Sequence, residues 1–135
     1  MNIRVVALLG LINEKNEVLI SLRKNRNDYN DYWEYPGGKV EKGETTDQAL
    51  VREIKEELDL NVSSNCVAPL TFTVAHDETI QTILLLHVCR KWQGSPESCL
   101  DQRIEWVRPV NLIQYKMPKP NYFLNSMLRD WVATS

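Results

Sequence analysis

The chain has 135 residues, 43% of them apolar and 25% charged, with a net charge of −2 and a pI near 5.7. This length suits one domain with a single buried core, spanning 1–135, and the composition is that of an ordinary globular protein. So even a charge balance offers no general attraction for nucleic acid or an anionic membrane, and any phosphate binding has to be local and cation-assisted.

In chain order, the apolar run Val5 to Ile12 is too short for a signal sequence, lacks a small-residue cleavage site and reads as a buried first strand. With "EVLISLR" and the polar turn "NEKN" it predicts a hairpin. "KNRNDYNDY" predicts a mobile loop leading to Pro36-Gly37-Gly38. Thr45 to Gln48 supplies an N-cap and capping-box spacing for a helix. "VAPLTFTVAH" and "TIQTILLLHVCRKW" predict two strands around His76-Asp77-Glu78, and "IEWVRPV" a short strand closing the sheet. After Pro118 and Pro120, the periodicity of "NYFLNSMLRDWVA" predicts a helix with Phe123, Leu124, Met127, Leu128 and Trp131 inward. The order is α+β. Cys66, Cys89 and Cys99 lack paired spacing and read as reduced thiols, in keeping with a cytoplasmic protein. His76 and His87 have no metal-ligand spacing and read as structural.

The first helix carries an unusual charge pattern. With Leu50 at 0° and about 100° per residue, Val51, Ile54 and Leu58 form a buried stripe. Glu56, Glu53 and Glu57 fall at about 240°, 300° and 340° on the same wheel. Like charges at this spacing repel by roughly 0.2–0.5 kcal/mol per pair. Arg52, four residues before Glu56, can orient one carboxylate, whereas Lys55 points elsewhere. Glycines before the helix permit close backbone approach to a ligand, and Glu44 adds a fourth carboxylate. Carboxylate and carbonyl oxygens are the donors Mg²⁺ prefers, with substrate phosphates completing its shell. The cluster makes sense as a cation site.

Gly38, Glu44, Arg52, Glu53, Ile54, Glu56, Glu57 and Leu60 stand at the spacings of the Nudix box, G-x5-E-x7-R-E-U-x-E-E-x-G-U, here over 38–60. Its six fixed identities would coincide by chance with a probability on the order of 10⁻⁷. The chain therefore resembles the Nudix hydrolases. Asp59 departs from the pattern by replacing its second glycine. Asp can adopt the left-handed backbone that glycine would supply, so a small loss of local stability and no loss of chemistry is expected.

The resemblance implies an α/β/α sandwich with a mixed sheet between the catalytic helix and the C-terminal helix, and hydrolysis of a nucleoside diphosphate linked to another group. It also implies Mg²⁺, or Mn²⁺, held by the Gly37 carbonyl, Glu53, Glu56 and Glu57, with Glu53 as general base. Arg52 would orient the glutamates, Lys39 would contact a phosphate, and Gly38 and Glu44 would support the site. Over nearly the whole chain the similarity extends to MutT-type 8-oxo-dGTP diphosphatases. It rests on Glu34-Tyr35-Pro36-Gly37-Gly38-Lys39, on Arg23, on Lys91-Trp92-Gln93-Gly94 and on Pro118-Lys119-Pro120-Asn121. That similarity assigns Arg23, Glu34, Tyr35, Pro36, Gly37, Lys39 and Asn121 to the substrate, with the Asn121 amide reading the oxidised guanine. The plain alternative for Asn121 is a helix N-cap, and that for Trp33, which could stack on a base, is packing.

Two features keep a CTP or other pyrimidine nucleotide open as substrate. "TILLLHVC" is aliphatic where related enzymes have aromatics, and Leu100 aligns with an additional loop glutamate that Glu97 or Asp101 would have to replace. A non-catalytic nucleotide-binding module would be expected to lose box carboxylates, and Glu53, Glu56 and Glu57 are all present. A monomer acting on a nucleoside triphosphate, without nucleic-acid or membrane partners, is expected.

Overall fold

The first strand, β1 (Asn2–Leu11), is apolar without alternation from Val5 onward, where both its faces become covered. Ala7, Leu9 and Leu11 face one core, which also holds Leu50, Ile54 and Leu58 of the helix α1 (Thr46–Leu58). Leu8 and Ile12 face a second core with Leu124 and Leu128 of the helix α2 (Asn121–Thr134). The computed structural model describes residues 1–24 and 26–135.

Along the chain follow β2 (Val18–Leu22), β3 (Trp33–Glu34), β4 (Gly37–Lys39), α1, β5 (Ala68–His76), β6 (Ile80–Cys89), β7 (Ile104–Val107) and α2. A four-stranded mixed sheet has the order β4-β1-β6-β5, with β1 and β6 parallel. A smaller antiparallel sheet has the order β3-β2-β7. The mixed sheet between two helices is the expected sandwich, but three expectations need correction. The polar turn after β1 forms, closed by the Asn13 N–H donating to the Glu17 carbonyl at 3.0 Å, yet β1 and β2 pair only at the Ile12–Val18 bridge. Both edges of β1 are already occupied, by β4 and β6, so β2 is left to pair elsewhere. For the same reason β7 joins β2 and does not close the main sheet.

The third correction concerns α2, whose buried residues are Asn121, Leu124, Asn125 and Leu128. Phe123 is 51% exposed and Met127 37%. The helix is rotated so that Asn125 can accept a hydrogen bond from the buried Tyr35 hydroxyl at 2.5 Å and donate to Met117 Sδ at 3.2 Å. A satisfied buried amide costs little, and its phase won over the more apolar one.

α1 begins as expected. Thr45 caps the N-terminus, and Gln48 completes the capping box. At the other end Asp59 is left-handed, with φ 54° and ψ 37°, and its N–H donates to the Lys55 carbonyl. The expected mobile loop includes position 25, which lies outside the described residues. Around it, the Arg23 carbonyl accepts the Asp31 N–H and Lys24 pairs with Asp31. Among the described residues no helix is long and apolar enough to cross a membrane.

Candidate active site

β4 lies on the edge of β1, held by the Leu9 N–H on the Pro36 carbonyl and the Val40 N–H on the Val5 carbonyl, both at 2.9 Å. The backbone groups of Gly37 and Lys39 point the other way, towards α1. The Gly37 N–H donates to Glu57 Oε2 at 3.1 Å, and the Lys39 carbonyl accepts from Arg52 Nη2 at 3.3 Å. Gly37 is sterically required by the backbone beside it, and Gly38 leaves room for the Glu53 carboxyl. A Cβ at Gly37, where φ is +142°, would stand 2.1 Å from the Ala7 carbonyl oxygen. One at Gly38 would stand 2.6 Å from the Glu53 carboxyl carbon.

Arg52 organises the acidic face. Its Nε and Nη2 clamp both oxygens of Glu44 at 2.7 and 2.9 Å, and its Nη1 donates to Glu53 Oε1 at 2.9 Å. The expected Arg52–Glu56 pair is present but long, at 3.7 Å. The Arg52 hydrogen bond, above all, holds the Glu44 carboxyl down at about 2. Glu44 therefore ties the loop before α1 to the helix. Lys55 turns away to Asp59.

Glu57 is half-buried and is the carboxylate of the three that the Gly37 N–H holds. Burial, and then the charge of Glu53, push it up to about 8, against the opposing hydrogen bond from Gly37. Glu34 faces the same cluster and is also raised by burial, with Arg23 opposing. Arg23 Nε lies 3.1 Å from Glu34 Oε2 but is not aligned for a hydrogen bond. Among the described residues no three His, Cys, Asp or Glu side chains form a ready-made ligand set. Mutual repulsion spreads such carboxylates, and the exposed Glu56 takes the outer position. The donors nonetheless fit a hard divalent cation. They are all oxygens, one of them is the half-buried Glu57 carboxylate whose ionisation a counter-charge would favour, and the neighbouring glycine leaves room for Glu53.

A cleft of about 760 Å³ opens from this cluster and crosses the sheet from β4 over β1 and β6 towards β5. It brings together Arg23, Glu34, Gly37, Gly38 and Lys39 with Glu53, Glu56 and Glu57. Val6, Leu8 and Leu84 supply its apolar wall, and Asn121 reaches it from the start of α2. Asn121 is 4% exposed, and Pro120, not Asn121, occupies the N-cap position. Its side-chain amide makes no hydrogen bond to the described residues, which leaves it available to a ligand.

Other residues expected at the substrate are placed differently. Tyr35 lines the cleft, but it is only 2% exposed and its hydroxyl is spent on Asn125, so it serves as a core residue at the cleft floor. Pro36 is buried and spends its carbonyl on β1, because the turn has to anchor β4. Trp33 packs edge-on against Tyr115. Glu97 and Asp101 do not line the cleft, whereas Leu100 does. The N–H groups of Glu97 and Cys99 bind the carbonyls of Leu58 and Glu57, and so fix that loop to the end of α1. His87 is structural, bridging Thr46 Oγ1 and the Leu85 carbonyl, but His76 borders the cleft. Sequence reasoning missed Arg4, Arg26, Tyr29 and Thr82 as cleft residues. The parallel register of β1 and β6 brings Arg4 and Thr82 there, and the loop between β2 and β3 supplies Arg26 and Tyr29.

A model of the NUDIX domain matches residues 1–129. The chain belongs to the Nudix family. Over 114 residues it is 32% identical to the 8-oxo-dGTP diphosphatase of Escherichia coli K12, covering 84% of this chain and 87% of that one. Over 118 residues it is 30% identical to the CTP pyrophosphohydrolase of the same organism, covering 85% and 82%. The solution structure of the E. coli ORF135 protein superposes with a TM-score of 0.87 at 24% identity, over 99% of this chain and 94% of that one. This Nudix protein is accordingly a hydrolase of phosphorus anhydrides, in a family that works on nucleotides with divalent cations.

Proposed function

We propose that this Nudix enzyme is a Mg²⁺-dependent nucleoside triphosphate pyrophosphohydrolase, with 8-oxo-dGTP as its leading substrate and 8-oxo-dGMP and pyrophosphate as products. One observation carries the reading. A single cleft joins the acidic face of α1 and the Gly37-Gly38 turn to the uncommitted amide of Asn121. Phosphates and base could thus be held at once.

The Gly37 carbonyl, Glu53, Glu56 and Glu57 would hold the cation. When bound, it neutralises the polyphosphate and makes an attacking water more acidic. Glu53, fixed by Arg52 at 2.9 Å, accepts the proton of that water as general base. Mn²⁺ suits the same oxygen donors. Lys39 and Arg23 supply positive charge to the phosphates from the cleft wall. Val6, Leu8 and Leu84 exclude water beside the base, and the Asn121 amide offers it both a donor and an acceptor.

A second reading, a cytidine nucleotide as substrate, is favoured by the polar Arg4–Thr82 pair in the cleft wall. Measuring kcat/KM with Mg²⁺ on 8-oxo-dGTP, dGTP, CTP and dCTP, with products identified, separates the two. A preference of 100-fold or more for 8-oxo-dGTP over dGTP, about 2.7 kcal/mol, is expected. Faster turnover of the cytidine nucleotides would move the assignment to the second reading.

A further inference from the structure

Arg4 of β1 and Thr82 of β6 lie side by side in the parallel register and both line the cleft. Arg4 Nε and Nη2 donate to Thr82 Oγ1 at 3.2 and 3.0 Å. The two bonds fill the lone pairs of the hydroxyl, so its own hydrogen is left to donate. Of the five guanidinium N–H groups two are spent, which leaves three. The pair therefore presents only donors. Thr82 is buried and receives both bonds at one oxygen, which orients the guanidinium of the otherwise exposed Arg4. Asp77 stands at the same rim with one carboxylate oxygen committed to the N–H groups of Thr79 and Ile80, both at 2.8 Å.

A planar fork of donors is satisfied by two adjacent acceptors. Guanine has such a pair in N7 and O6, and cytosine has one in N3 and O2. In adenine an amino donor stands beside each ring acceptor at that edge, and in uracil a ring N–H separates the two carbonyls. In 8-oxoguanine N7 carries a hydrogen, so the pair is broken there too. Building on the nucleotide-hydrolase reading, we propose that Arg4, fixed by Thr82, is a specificity-determining residue that selects bases presenting two adjacent acceptors, guanine and cytosine. It works against the preference for oxidised guanine that Asn121 is suited to provide.

The test is titration calorimetry of GMP, CMP, AMP and UMP against the wild type, Arg4→Leu, Arg4→Lys and Thr82→Val. The wild type should bind GMP and CMP at least tenfold more tightly than AMP and UMP. Arg4→Leu should erase that difference and leave AMP and UMP within twofold of the wild type. Arg4→Lys should restore only part of it, because an ammonium lacks the fork, and Thr82→Val should weaken GMP and CMP selectively. In turnover, Arg4→Leu should raise KM for dGTP and CTP about tenfold with kcat within twofold, and raise the ratio of 8-oxo-dGTP to dGTP activity. Equal weakening for all four monophosphates would make Arg4 a phosphate anchor and overturn the proposal, as would no change in any. If the wild type hydrolyses no triphosphate, the reaction proposed above falls, while the monophosphate titrations still decide the role of Arg4.

Discussion

Glu53 and Asn121 illustrate how differently two residues of one cleft respond to the same kind of change. Glu53 is surrounded by groups that set its position, with Arg52 on one side and Gly38 beneath it. Glu53→Gln keeps the shape and removes the base, so turnover should fall by about 10²–10⁴-fold while the melting temperature stays near that of the wild type. Near-normal activity in that variant would remove Glu53 from the reaction. Asn121 has no protein partner among the described residues to lose. Asn121→Ala should leave hydrolysis of the triphosphate largely intact and shrink the oxidised-to-normal guanine preference by roughly tenfold, the worth of about one hydrogen bond. A loss confined to kcat, with the preference unchanged, would argue that Asn121 does not meet the base.

At the scale of the element, α1 carries both the stabilising and the reactive parts of the sequence. Its capping box and its Leu50–Ile54–Leu58 stripe hold the helix, which allows the opposite arc to keep mutually repelling carboxylates. Its C-terminal end is less well adapted, because Asp59 sits in the left-handed conformation that glycine adopts without strain. Asp59→Gly should therefore stabilise the protein by about 0.5–1 kcal/mol and leave kcat/KM unchanged, since the side chain faces Lys55 and not the cleft. A thermal melt checks this, and a lowered melting temperature would show that the Lys55–Asp59 pair outweighs the backbone strain.

For the whole molecule, the half-buried Glu57 links the acidic site to global stability. Its carboxyl is pushed up to about 8 in the folded state, by burial first, from an ordinary value of 4.5. The folded protein thus binds a proton that the unfolded chain has released between those values, so stability falls as pH rises through that window. Below it both states are protonated and the contribution is fully present. Glu34, raised by burial as well, acts in the same direction. Melting temperatures in chelator should decline from pH 5 to pH 8.5, and Glu57→Gln should flatten the decline. Added Mg²⁺ or Mn²⁺ should raise the melting temperature more at pH 8 than at pH 5, because a cation replaces the proton as counter-charge. Parallel profiles for the wild type and Glu57→Gln would separate Glu57 from this linkage.

What could be read from the sequence was local. The spacing of Gly38, Glu44, Arg52, Glu53, Glu56 and Glu57 is governed by one turn and one helix, so the helix, its cap, its buried stripe and its acidic arc were legible by counting. The uninterrupted apolar run of β1 likewise announced a strand covered on both sides. Pairing between distant segments was not legible. Neither the separation of β2 from β1 nor the placement of β7 follows from periodicity, because both depend on which strand edges other segments have already filled. The rotation of α2 depended on Tyr35 finding Asn125, ninety residues away. The sequence by itself determined the Nudix family, since the spacing that marks it lies within one stretch of chain. Only the tertiary structure decided what lies opposite that stretch. Arg4 and Thr82 meet through a parallel register 78 residues apart, and no local pattern encodes such a contact.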